Sequence, residues 1–503
     1  MNQATEYSHM QRTNLNLLPR SWAFHEGVEY ALVDTGAVIK LAVLGQLHPP
    51  VVSGFVGDAS EFEGQTLRIC PLTPENAAGL RSKLPWLRPK LLGTQTSAGM
   101  GDRLGLATPG HVKAVQRTDG NIAPIFAQQS IREMARTGRS PVQVMDDAMW
   151  GVFQEGWRSG FGADADHLKT IQDIDSCFTA GFTFFTIDPG DYVDNRAESA
   201  SLNDLLAIAE TFSSEMKDEA YSFLNRRYDL EGRILQFTEN TLYKALVKYG
   251  HAVQHVAVMY HHLEKLAGAA AFELEVSVDE TDQPTSHAEH IYIASELKRM
   301  GVRWVSLAPR FVGRFEKGVD YIGNPAEFEA DIAGHAAIAR EFGPYKLSLH
   351  SGSDKFSIYP AAMRQTCGLV HLKTAGTSYL EALRTIAAID VDLFREIFAF
   401  ACERYEIDRA SYHVSAEVDR APQPAEVTDW SGLLNQFDAR EILHVTFGSV
   451  LTQRNSDGTH QFYDRLMSIL RRHPDAYARN LEEHFSRHLL PFAADTSPTA
   501  GPA

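Results

Sequence analysis

Polar and apolar residues alternate along Lys346-Leu347-Ser348-Leu349-His350, and the alternation breaks at Ser351-Gly352-Ser353-Asp354-Lys355. Residues two apart in an extended chain face one side, so Lys346, Ser348 and His350 share a face that ends on a Gly/Ser turn. Phe272-Glu273-Leu274-Glu275-Val276-Ser277-Val278 alternates as strictly. On an antiparallel surface strand its Glu273/Glu275/Ser277 face would look to solvent. In a parallel barrel strand it would look inward, where carboxylates need a metal or a Lys/Arg partner. The tetrapeptide His-Leu-Lys-Thr occurs at 167–170 and again at 371–374, each copy setting its His on the side of its Lys.

Eight runs have this strand character: 103–107, 123–128, 166–169, 182–187, 271–278, 304–308, 345–350 and 368–373. Helical spacing separates them, as in 140–158 and in 295–300, which ends at Gly301. Strands alternating with helices predict a parallel sheet covered by helices, and eight such units predict a closed (β/α)₈ TIM-like barrel. The predicted organisation is an N-terminal extension over 1–95 and a barrel core over 96–378 interrupted by a helical insertion at 201–268. An α-rich C-terminal region follows over 379–490, then a tail at 491–503 expected to be disordered.

Composition narrows the function classes. The chain has 503 residues, 44% apolar and 22% charged, with a net charge of −17. That balance argues against nucleic acid or an anionic membrane as partner, while a local Lys/Arg cluster still allows a small anionic ligand. Four scattered cysteines (Cys70, Cys177, Cys367, Cys402) form no Cys-x-x-Cys pair, so reduced thiols are expected. Residues 1–22 hold no secretory core, and no apolar run approaches the roughly 20 residues of a membrane span. A soluble, cytoplasmic protein is expected.

In a barrel, residues at the carboxyl ends of strands line the site. Here they are Asp102, Gln128, Asp166, His167, Lys169, Asp188, Glu273, Glu275, Asp279, Arg310, His350, Asp354, Lys355, His371 and Lys373. Three imidazoles from separate strands, with carboxylates between them, suit a divalent ion that keeps open positions for substrate. Each residue has a plainer reading: His350 bonded to its own turn, His167 and His371 to backbone carbonyls, Asp166 and Asp188 as turn or cap formers. His444 reads as a core histidine, and His261-His262 as a solvated helix face. No Gly-x-Gly-x-x-Gly, no Gly-x-x-x-x-Gly-Lys-Ser/Thr and no His-Glu-x-x-His occurs, which disfavours nucleotide chemistry.

The segment Leu349-His350-Ser351-Gly352-Ser353-Asp354-Lys355, with Ala165-Asp166-His167-Leu168-Lys169-Thr170 and His444-Val445-Thr446-Phe447-Gly448-Ser449, resembles the tagaturonate/fructuronate epimerase family over most of residues 15–490. The resemblance implies a divalent-metal-dependent epimerase that interconverts D-tagaturonate and D-fructuronate, its metal open among Zn, Mn, Ni and Fe. Counted from the carboxylate, the ketone is C5 and the inverted centre is C3, a carbon β to both carbonyls. Neither carbonyl stabilises an anion there, so a retro-aldol cut of C3–C4 is expected instead. With the strand-end argument, the resemblance assigns Asp166 and Glu275 as acid and base across the barrel, and His167, His350 and His371 as metal ligands. It assigns Lys355, Lys373, Arg310 and Lys169 to the substrate anion. A metal-dependent aldolase of sugar acids and a non-catalytic sugar-acid-binding protein are the alternatives.

Overall fold

The computed structural model describes residues 8–36, 38–46, 52–118, 122–374, 376–423 and 427–493. The N-terminal extension folds as an antiparallel sheet of β1 (Ala23–His25), β2 (Val28–Asp34), β3 (Ile39–Gln46), β4 (Asp58–Phe62) and β5 (Gln65–Cys70), in the order β1-β2-β3-β5-β4. The barrel then begins with β6 (Ser97–Gly99), β7 (Ala123–Ser130), β8 (Gly162–Leu168) and β9 (Phe184–Ile187). A two-stranded hairpin, β10 (Arg227–Leu230) and β11 (Arg233–Gln236), interrupts it. The barrel resumes with β12 (Glu273–Val278), β13 (Ser306–Pro309), β14 (Lys346–Leu349) and β15 (Val370–Lys373). Parallel pairing closes β15 onto β6, with His371 opposite Ser97 and Lys373 opposite Gly99.

Two elements differ from the sequence reading. The first barrel strand is Ser97–Gly99, and 103–107 is a turn. The Asp102 carboxylate accepts from the amides of Leu104, Gly105 and Ala107, and this local bonding outcompetes a ladder. The insertion at 201–268 is not helical throughout, because the β10–β11 hairpin lies between its short helices and the long helix Glu239–Ala267. Most of the C-terminal tail, 494–503, lies outside the described residues, and 491–493 end the helix Pro474–Ala493.

Alternation along the barrel strands sets the chemistry. Outward positions such as Leu274, Val276, Leu347, Leu349, Val370 and Leu372 are buried hydrophobics of the main core. Inward positions are polar: Asp164 and Asp166 on β8, Thr186 on β9, Glu275 and Ser277 on β12, Lys346 and Ser348 on β14, His371 and Lys373 on β15, all buried. Buried charge at this density persists only when each group has a partner. Among the described residues, no helix is long and apolar enough to cross a membrane.

Candidate active site

The inward groups sort into layers by register. Deepest, the Glu273 carboxylate accepts from the amide of Leu92 at 2.9 Å and from that of Gly93, at the amino end of the barrel and away from its mouth. Next come Lys346 and His371, both on the Ser97 hydroxyl at 2.9 Å. Above them the Lys373 ammonium lies 2.9 Å from Asp164 Oδ2, 2.6 Å from Asp166 Oδ1 and 2.8 Å from Glu275 Oε1, and donates to Thr186 Oγ1 at 2.7 Å. One cation thus serves three carboxylates. At the mouth His350 holds Glu275 Oε1 through Nε2 at 2.7 Å and Asp279 Oδ1 through Nδ1 at 3.0 Å.

His167 joins them because β8 breaks its own rule. Register shifts between Ala165 and Leu168, and His167 takes a φ of 51°. Consecutive strand residues normally face opposite sides, but this irregularity turns both Asp166 and His167 to the mouth. The His167 ring centroid lies 5.1 Å from that of His350, and His167 Nδ1 is 3.2 Å from Asp188 Oδ2. His167, Asp279 and His350 each offer a ligand atom, all within 4.8 Å of one another.

Charge in this cluster decides protonation. Burial opposes charge on the His167 ring, but Asp166 and Asp188 outweigh it and push its pKa up to about 10. His350 is raised likewise: burial is overcome by Asp279 and Glu275, against the repulsion of Lys373. Burial would protonate Glu275 and Asp166, yet Lys373 and His350 (and, for Asp166, His167) hold both well below the usual carboxylate range. Asp164 goes the other way, up to about 6, from burial and the neighbouring Asp166 and Glu275 charges working against Lys373. Environments that split like groups in this way mark acid–base sites.

The predicted residues divide accordingly. Asp166, His167, Glu275, His350 and Lys373 meet at the mouth. His371 does not enter the donor group, because it pairs in register with Ser348, two residues before His350, and so sits a layer deeper against Phe184. Lys355 faces away from the site. Its ammonium is fully buried on the carbonyls of Ser353, Glu316 and Val319, which leaves it no proton for a substrate. Lys169 stands at the rim, 2.8 Å from Asp191 and 3.8 Å from Asp188. Arg310 follows β13, its amide donating to Thr285 Oγ1.

Asp279, placed at a strand end by the sequence but given no role there, belongs here, as do three residues outside the predicted set, Asp164, Lys317 and Arg132. Asp279 and Asp164 lie on faces the alternation already marked, two positions beyond Ser277 and two before Asp166. Lys317 and Arg132 carry no periodic signal, since Lys317 lies in a long loop after β13 and Arg132 at the start of the helix Ile131–Thr137. Lys317 donates to Ser351 Oγ at 2.6 Å. Burial and then the Arg132 charge lower its pKa, against Glu280, Asp279 and Glu133. These cations stand over an anionic floor, an arrangement suited to gripping an anion whose far end reaches the His167/Asp279/His350 group.

Comparison with known proteins adds an independent line. The family described as tagaturonate epimerase (UxaE) matches residues 19–491. The tagaturonate/fructuronate epimerase of Thermotoga maritima is 43% identical over 451 residues, covering 89% of this chain and 91% of that one. The native crystal structure of fructuronate-tagaturonate epimerase UxaE from Cohnella laeviribosi superposes with a TM-score of 0.91 at 37% identity, covering 96% of this chain and 98% of that one. A one-glycerol complex of the Cohnella enzyme gives a TM-score of 0.91 at 36% identity, covering 96% and 97%.

Proposed function

The chain belongs to the tagaturonate epimerase family, and from that premise we propose that it interconverts D-tagaturonate and D-fructuronate on a divalent cation held by His167, Asp279 and His350. It is an epimerase, hence an isomerase, which sets aside the non-catalytic alternative. The observation that carries the cation is the donor set itself: two imidazoles and a carboxylate, with further carboxylates around them and no Lys or Arg ion-paired to Asp279 among the described residues. The surrounding carboxylates favour positive charge on both rings in the ion-free protein, and a divalent ion would supply that charge instead. Mixed N/O ligation of this kind suits Zn, Mn, Ni or Fe.

When bound, the cation supplies Lewis-acid stabilisation of negative charge developing on the substrate's ketone oxygen. The chain's own residues handle protons and position. Ionised Glu275 or Asp166 takes the C3 hydroxyl proton, the C3–C4 bond breaks, and its electron pair becomes the C4–C5 enediolate. The C3 aldehyde turns about C2–C3, C4 adds to its other face, and the new C3 alkoxide regains a proton. Because Asp164, Asp166 and Glu275 surround one Lys373 ammonium, they are neighbours and not opposed walls. A proton taken at one oxygen is therefore available at the next, with Asp164 the most readily protonated of the three. Lys317, Arg132 and Arg310 are the cations proposed to seat the substrate carboxylate, Arg offering the better fork.

Chelated protein should lose the conversion of D-tagaturonate to D-fructuronate and regain it on addition of a divalent ion. Equal activity without ion removes the metal reading. Substrate carrying ¹³C should show a primary isotope effect at C3 and C4; exchange of C3 deuterium with solvent would replace the retro-aldol route with direct C–H chemistry. Accumulation of free dihydroxyacetone in place of the epimer would make the reaction an aldolase's.

A further inference from the structure

A second set of donors converges on the outside of the barrel, between the helices His287–Arg299 and Pro325–Phe342. Asp331 and His335 are four residues apart on the latter and rise from one face. His287 opens the former, fixed by the Ser286 cap, whose side chain accepts from the Glu289 amide. Asp331 Oδ1 lies 3.6 Å from Nε2 of His287 and 3.6 Å from Nε2 of His335. That is too long for a hydrogen bond. It is close to the roughly 3.3–3.5 Å edge of a tetrahedron built on metal–ligand bonds of about 2.0–2.1 Å.

The surroundings also point to an ion. His335 Nε2 is buried and makes no hydrogen bond of good geometry, and the Thr285 carbonyl is the one backbone acceptor that acts on its ring. Its Nδ1 is engaged by His290 Nδ1 at 2.8 Å, and His290 Nε2 by the Tyr345 hydroxyl at 2.8 Å. If Tyr345 accepts from His290 Nε2–H, then His290 Nδ1 accepts from His335 Nδ1–H, and the His335 lone pair is left at Nε2. This is how outer partners set a ligand's tautomer. Asp331 Oδ2 accepts the Val312 amide at 3.1 Å, and among the described residues no Lys or Arg pairs with this carboxylate. Gly334 makes room: a Cβ there would strike the His287 ring. The other buried His/Asp group, Asp354 with His484 and His488, has no need of a cation, since Arg440 lies 2.8 Å from Asp354.

We infer that His287, Asp331 and His335 form a second divalent-cation site, of the zinc type, that ties the two outer helices together. His287 would exchange its 3.0 Å contact with the Asp331 carbonyl for the ion. Its ring is part-exposed, leaving the fourth position to water. The site is separate from the barrel mouth and does not depend on the chemistry proposed there.

The test uses the full chain, stripped with chelator, dialysed against Zn²⁺ and analysed for bound zinc and thermal midpoint. His350→Ala, which disables the mouth, should retain one zinc per chain and still melt higher with zinc than without. Adding His335→Gln or His287→Gln to that background should abolish both effects. His290→Phe should weaken retention about 10- to 100-fold. Two ligand variants guard against one that fails to fold. If His350→Ala holds no zinc, or if the added substitutions leave zinc content unchanged, the outer site is overturned. If the mouth is not a metal site, wild type and His350→Ala hold equal zinc while the outer variants still lose theirs.

Discussion

The Lys373 ammonium lies 2.6 Å from Asp166 Oδ1, joining β15 to β8 across the barrel interior. Removing it in Lys373→Met leaves Asp164, Asp166 and Glu275 facing one another without a cation. Loss of one partner from a buried ionic cluster costs about 3–5 kcal/mol. It should also disable the proposed proton relay, with kcat expected to fall by about 10²–10⁴. Urea unfolding and steady-state rates measure the two effects separately. A variant of unchanged kcat would show that the ammonium only holds the fold.

Asp279 and His371 exchange places relative to the sequence expectation, and their variants should separate cleanly. Asp279→Asn removes a carboxylate from the proposed ion site and should release bound metal on dialysis. His371→Gln alters a ring one layer deeper, tied to Ser97, and should keep its metal. Metal content per chain after equal dialysis decides it, and the reverse result would restore His371 as a ligand.

Lys355 and Lys317 provide a second contrast. Lys355→Met strips three carbonyls of their donor and loosens the loop that follows His350, where Ser351 and Asp354 hold positive φ. Its expected signature is a lower thermal midpoint and lower kcat with KM nearly unchanged. Lys317→Met removes a cation at the mouth and should raise KM about tenfold or more, the loss of one charged hydrogen bond. If Lys355→Met raised KM instead, the anion would bind elsewhere than the rim.

What the sequence disclosed follows from what periodicity can express. The barrel was legible because β8, β12, β14 and β15 alternate between helix-facing apolar and inward polar positions, and the runs between them are short and bounded by helical spacing. Ser97-Ala98-Gly99 is too short and too small-chained to show any pattern, and Leu104-Gly105-Leu106-Ala107 took its place. Asp166, Glu275, His350 and Lys373 were found because inward alternation marks them. His167 was found by its motif, but its direction depends on an irregularity in β8 that alternation alone does not show. Lys355 was misplaced for the same reason: past Leu349 the chain leaves the strand, and the turn carries its side chain behind the loop. Lys317 and Arg132 reach the mouth from outside the barrel strands, where spacing says nothing of direction.

Glu441 supplies a pH test remote from the mouth. Burial, and next the charge of Glu316, push its pKa up to about 8. Glu316 is held in place by the amide and hydroxyl of Ser415, at 2.8 and 2.7 Å, and so cannot swing away. In the unfolded chain Glu441 would titrate near 4.3. Between those values the folded state binds a proton that the unfolded state has lost, so its stability falls as pH rises from about 4.3 through 8. Glu441→Gln removes that titration while keeping an acceptor oxygen for the Ala416 amide that Glu441 Oε2 now accepts at 3.0 Å. Relative to wild type, the variant should gain thermal stability progressively over this range, reaching a plateau of a few degrees above pH 8. Melting curves from pH 5 to 9 measure it. A constant difference across the range would mean that Glu441 stays ionised and that the Glu316 charge does not act on it.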